Sequence, residues 1–147
     1  MAPPRSMSGA SGYDYFDVAA DVGVTAWGPT LPEAFTHAGL AVFALMVDPA
    51  GVKARESREV SAQGETREAL LVNWLNECLY VHDIEGFVVK EIEFPVFEEN
   101  RVHSLLRGET LDSARHRVGT VVKAATFHEL QISQASGRWE IRVILDI

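Results

Sequence analysis

Residues 138–147 read RWEIRVILDI. Trp139, Ile141, Val143 and Leu145 fall on one side of an extended chain, and Arg138, Glu140, Arg142, Ile144 and Asp146 on the other. That pattern predicts a strand with its first face against a core. The strand finishes on Asp146, next to Ile147 and its main-chain carboxylate. Two acids closing an apolar strand are out of place unless the strand end serves something besides the core.

Working outward, TVVKAATFHELQI (120–132) reads as a preceding strand, joined through SQASG. Its apolar phase shifts between Phe127 and Leu130, which predicts a bulge near His128. FVVKEIEFPVF (87–97) and RVHSLLRG (101–108) read as a strand pair with EEN as the turn. REVSAQ is a short strand candidate. ETLDSARHRVG is polar, breaks periodicity and reads as a loop. Near the start, YDYFD and VGVTAW are two strands around AADVG.

Two helices interrupt the strands. Thr30 opens the first, with Glu33 at the reciprocal capping-box position and Pro32 in a first turn whose amides lack partners. Leu31, Phe35, Ala38, Val42 and Leu45 form its core stripe, and Asp48-Pro49 ends the run. The second runs from about Thr66 to His82, with Leu70, Leu71, Trp74, Leu75, Cys78 and Leu79 on one face. About seven strands in runs, with two long helices, indicate an α+β fold around a mainly antiparallel sheet. The lead-in 1–12, rich in Pro, Ser, Gly and Ala, reads as disordered and 13–147 as a single domain.

The chain has 147 residues, with 13 Lys and Arg against 21 Asp and Glu, a net charge of −8. That balance argues against direct nucleic-acid binding, which needs clustered basic residues. It fits a basic protein surface or a divalent cation, and it also favours solubility. The single cysteine, Cys78, excludes an internal disulfide and points to a reducing compartment, the cytoplasm. It lies in an apolar helical stripe, as a small buried hydrophobe does. No segment is long and apolar enough for a membrane span or a signal peptide.

There is no Gly-rich phosphate loop, no GxSxG elbow and no cysteine pair for zinc. Five histidines, at 37, 82, 103, 116 and 128, are too dispersed to pair on one helix turn. The informative residues are carboxylates. Asp17 and Asp21 bracket a strand–strand junction. If the first strand pair lies beside the last strand, Asp21 meets Asp146 and the Ile147 carboxylate. Three such groups repel one another unless a cation sits between them, and an all-oxygen set suits calcium, magnesium or manganese rather than zinc. Spacing by itself leaves a second reading open, with Asp21 a turn residue and Asp146 a solvated terminal acid.

YDYFDVAADVGVTAWGPTLPEAFTHAGLAVFALMVD, LLVNWLNECLYVHDIEGFV, VVKAATFHELQI and the final VILDI, in this order and spacing, resemble the archease family. The resemblance covers nearly everything after Tyr13. It implies a small non-enzymatic accessory protein whose partner is the GTP-dependent RNA ligase of tRNA splicing and RNA repair, assisted in guanylylation and multiple turnover. A chaperone-like role for a tRNA methyltransferase is the alternative it implies, and a metal-dependent hydrolase is a third reading. It further implies a calcium-type ion held by Asp21, Asp146 and the terminal carboxylate of Ile147, with no catalytic residue. Asp17, Lys123 and His128 are candidates for supporting or partner-facing roles. Lys123 would reach a phosphate or a metal-bound acid on the partner, or simply protect a sheet edge. His116 matches a loop histidine and is expected at the surface. One departure stands out: where the family usually has Asp-His-Thr before ADVG, this chain has Asp17-Val18-Ala19.

Overall fold

A computed structural model describes residues 10–147. The final alternation forms β8 (Arg138–Asp146), whose Ile141, Val143 and Leu145 are wholly buried. One neighbour is β2 (Asp21–Gly28), antiparallel, with Val22 facing Leu145, Val24 facing Val143 and Ala26 facing Ile141. β1 (Gly12–Val18) pairs with β2 as a hairpin. On the other edge of β8 come β6 (Ala124–Ala125) and β7 (Gln131–Ala135), paired with successive parts of it. These make a five-stranded antiparallel sheet.

β3 (Glu56–Gln63), β4 (Phe87–Phe97) and β5 (Arg101–Thr110) make a second, three-stranded sheet. The α+β, antiparallel expectation holds, but among the described residues the strands number eight and divide between two sheets. Alternation marks a strand without naming its partners. The turn 98–100 closes β4 onto one edge of β5, and β3 takes the other from Glu56 opposite Gly108 to Gln63 opposite Arg101. No edge of β5 is left for the larger sheet.

α1 (Leu31–Met46) starts at Thr30, whose Oγ1 accepts from the Glu33 amide at 3.3 Å. The Glu33 carboxylate takes the Thr30 hydroxyl proton rather than the Thr30 amide of a reciprocal box. α2 (Arg67–Glu85) starts at Thr66 in the same way and runs past the expected end at His82. Its extra residues, Asp83, Ile84 and Glu85, are exposed, so no apolar spacing announces them. Gly86 stops the helix at φ 62°, a left-handed conformation that only glycine adopts without cost. Both helices pack between the sheets, α1 on β2 and β4, α2 on β3 and β6. Trp74 sits at the centre against Phe35 and Phe94, with ring centroids 6.1 and 4.8 Å away. Its indole N–H donates to Ser104 Oγ, which donates to the Val60 carbonyl, both at 2.8 Å, so the buried polar atoms are satisfied.

Three local expectations need correction. The strand read over 120–132 is broken, not bulged: between β6 and β7 the chain makes a turn with Glu129 at φ 52°. The loop read over 109–119 begins later, because Glu109 and Thr110 still belong to β5. The lead-in is shorter at its inner end, since Gly12 already pairs with Trp27; residues 1–9 lie outside the described residues. Among the described residues, no helix is long and apolar enough to cross a membrane.

Candidate metal centre

The β2–β8 ladder is in register from Val22 opposite Leu145. The next position in that register sets Asp21 against Asp146. Directly opposed residues of an antiparallel pair share a sheet face, with Cβ atoms about 4.5–5.5 Å apart. β1 adds Val18 opposite Asp21, and β6 adds Ala124 opposite Asp146. One row across the sheet corner therefore runs Val18, Asp21, Asp146, Ala124. It lies on the face away from the helices, because the alternate residues Val24, Val143 and Leu145 belong to the core.

The strand end is held from several sides. The Lys123 amide donates to the Asp146 carbonyl at 2.8 Å. The Ile147 side chain, back on the inner face, packs against the core. Behind β6, Asn76 of α2 takes the Ala125 amide at 2.8 Å and gives a hydrogen bond to its carbonyl at 3.2 Å. The terminal residue is therefore anchored rather than frayed. Among the described residues, no three His, Cys, Asp or Glu side chains converge to hold an ion. Asp21 and Asp146 would supply two oxygen donors there, and Ile147 is the residue next to them. The donor chemistry fits a hard cation: oxygen only, anionic, and too few groups to fill the six to eight positions calcium takes, so water or a partner would complete it.

The supporting candidates separate. Asp17 lies opposite Val22, on the inner face of the hairpin, and so on the other side of the sheet from Asp21. Val18 and not Asp17 flanks the acid pair. Lys123 adjoins Asp146 through its backbone and has an exposed side chain. His128 is exposed in the turn between β6 and β7, outside the corner row. Two positions from the corner on the same face, Gly23 makes room for the Phe16 ring, which a Cβ there would meet at 2.1 Å. The Arg142 guanidinium lies over that ring, 3.9 Å from its centroid.

A second carboxylate centre escaped the reading of the sequence. Glu109 is only 3% exposed. Arg115 grips it with two bonds, Nη2 to Oε1 at 2.8 Å and Nη1 to Oε2 at 3.0 Å. The Lys53 amide adds a third at 2.8 Å, and Arg55 approaches to 3.8 Å. His116, expected at the surface, is buried at 4% and donates from Nε2 to Glu109 at 2.9 Å. Its Nδ1 accepts from the Asp112 amide at 2.8 Å, which fixes the proton on Nε2 and leaves the ring neutral. The Arg115 bonds, followed by the Lys53 amide, hold the Glu109 carboxyl well below the usual carboxylate range. The alternation of β5 puts Glu109 on the face away from the core. It is the loop folding over that buries it, and only the nearby Arg115–His116 pair hints at this in the sequence. Burial likewise pushes the Cys78 thiol up, which leaves it unreactive.

Two antiparallel sheets around two helices, with an acid pair and the last residue at one sheet corner, define a small α+β protein whose final strand is built into the sheet interior. Known proteins share this fold. The Archease protein family (MTH1598/TM1083) matches residues 13–147, and the chain belongs to that family. It is 35% identical to protein archease of Pyrococcus abyssi, covering 92% of this chain and 98% of that one. It is 37% identical to protein archease of Methanothermobacter thermautotrophicus, covering 92% and 99%. The solution structure of protein 1598 of Methanobacterium thermoautotrophicum superposes with a TM-score of 0.75 at 36% identity, over 92% of this chain and 99% of that one. A crystal structure from Thermotoga maritima, described as an archease and possible chaperone, shares the fold with a TM-score of 0.63 at 18% identity, over 90% and 94%.

Proposed function

We propose that this protein is a non-enzymatic accessory factor that activates a GTP-dependent RNA ligase, assisting its guanylylation and multiple turnover in tRNA splicing or RNA repair. The proposal includes a calcium-type ion, with magnesium or manganese as chemical alternatives, held by Asp21, Asp146 and the Ile147 carboxylate. The single observation that supports it most is the β2–β8 register, which sets two acids from opposite ends of the sequence side by side. No ion pair or side-chain hydrogen bond joins either acid to another described residue. When bound, such an ion offsets negative charge at phosphate oxygens. The chain's own part is to hold the oxygens rigidly at a surface corner, through β6, Asn76 and Ile147, where a partner can approach.

Asp21→Ala and Asp146→Ala are each expected to weaken calcium binding by about 100-fold or more, since ligand charge sets affinity at such sites. Assisted ligation should fall to the rate of the ligase alone. Calorimetric titration and a multiple-turnover ligation assay check this; unchanged turnover with both variants would sink the proposal. A second reading, a chaperone-like modulator of a tRNA methyltransferase, draws support from the description of the Thermotoga protein as a possible chaperone. Co-purification with a methyltransferase and not with a ligase would favour it. The hydrolase reading has less support, because the position beside Asp21 that the family usually gives to histidine is Val18 and no other described histidine lies in the corner row.

A further inference from the structure

α2 has a definite direction along β8. Near its start, the Arg67 guanidinium lies 4.9 Å from the Trp139 ring, at the beginning of β8. Nine residues on, Asn76 grips Ala125, which pairs with Leu145 at the end of β8. The helix therefore runs towards the strand's C-terminal end and overshoots it. One turn beyond Asn76 comes Tyr80, and one turn beyond that Ile84, on the same stripe. β6 is antiparallel to β8, so the residues before Ala124 also extend past that end. Val121 is among them. Tyr80, Ile84 and Val121 are 61%, 66% and 72% exposed. Burial is the usual fate of such side chains when they cluster, and these have nothing over them.

The charge around them is mostly acidic. Glu77 and Asp83 flank Tyr80 on α2 and are exposed, while the β1–β2 hairpin and the end of β8 bring Asp17, Asp21 and Asp146. Lys123 lies among them, and Arg58, paired at 2.6 Å with Glu85 beside Ile84, is a second cation nearby. A second copy of this chain would set acid against acid, and a nucleic acid would set phosphate against acid. A basic protein surface is what complements this end. Its apolar residues have the character of interface anchors, tyrosine foremost, inside a polar rim.

We infer that the open end of the five-stranded sheet is a protein-docking face, on which Tyr80, Ile84 and Val121 anchor a basic surface of the partner beside the acid corner. The inference rests on the proposed ligase reading and adds to it the surface that makes the contact. Docking places the corner against the partner without any ligand residue having to make the contact energy itself. Long-range attraction between the acidic end and the basic partner makes association salt-dependent.

The test is titration of the full-length protein against the purified cognate GTP-dependent RNA ligase, with calcium titrated separately. The double substitution Tyr80→Ala with Ile84→Ser touches exposed side chains only. It is expected to raise the dissociation constant for the ligase by about 10-fold or more, the loss typical of truncated anchors. Calcium affinity and thermal stability should stay unchanged. Binding by the parent protein should weaken as salt rises. If the parent binds the ligase and the double variant binds it within twofold as tightly, the docking face is overturned while the ligase reading stands. If the parent does not bind the ligase at all, both fall. Binding of RNA by the free protein, lost in the same variant, would overturn the inference by showing the wrong class of partner.

Discussion

Two carboxylate centres occupy this fold and are treated in opposite ways. Glu109 is buried and met by the chain itself: two bonds from Arg115, one from the Lys53 amide, one from a neutral His116. Asp21 and Asp146 stand at a sheet corner with no described side chain paired to them. A charge that a fold uses for its own stability has to be satisfied inside it, because an unpaired buried charge is costly. A charge left open at a rigid surface corner is available to something outside. The first arrangement closes a loop; the second is the one proposed to take an ion.

Breaking Glu109 should therefore cost stability and spare ion binding, the reverse of breaking Asp146. Glu109→Gln leaves Arg115 without its carboxylate and is expected to lower the thermal midpoint by about 5 °C or more. Calcium affinity should change little. The pH dependence follows from the direction of the shift. The folded carboxyl titrates below its unfolded counterpart, so its contribution is fully present above about pH 5 and lost progressively as pH falls below the unfolded value near 4.3. Chemical denaturation of the parent from pH 7 to pH 3 should show that loss, and the Gln variant should lack this share of it. Equal acid sensitivity in both would remove Glu109 from the account.

The two centres also differ in how far the sequence discloses them. The corner needs only strand alternation and an antiparallel neighbour, both readable in VGVTAW and RVILDI. The side of the sheet on which Asp17 lies was readable too. Val18 and Asp21 face each other across a two-residue turn, so Asp17 must point the other way. Glu109 depends instead on residues 53 and 115 arriving through loop closure, for which no periodicity exists. The same limit hid the division into two sheets and the break between β6 and β7. Alternation reports which face a residue takes and is silent on which strand lies beside it.

A smaller effect should come from the support behind the corner. Asn76→Ala removes both bonds to Ala125, and with them the brace that keeps β6 against Asp146. Two partly buried hydrogen bonds of this kind contribute about 1–2 kcal/mol together. Ion affinity should fall about threefold to tenfold, because the oxygens are held less well while none is lost. Calcium titration beside a denaturant melt separates the two losses. A variant that loses stability with unchanged ion affinity would show that β6 is not what positions Asp146.

The smallest change tests whether the corner can be made to resemble the Glu109 centre. At the Glu109 centre, a neutral imidazole accompanies the carboxylate as a hydrogen-bond donor. At the corner, the family's usual histidine position is Val18, which the register places directly opposite Asp21. Val18→His would put an imidazole on the acid's own sheet face, within reach of one carboxylate oxygen. At pH 8 that ring is neutral, and a hard ion keeps its preference for oxygen. Calcium affinity should therefore stay within about threefold of the parent. Assisted ligation should rise, because the ring restores a donor beside the acid pair where the partner approaches. A variant with higher ion affinity and unchanged ligation would mean that residue 18 acts on the ion and not on the partner.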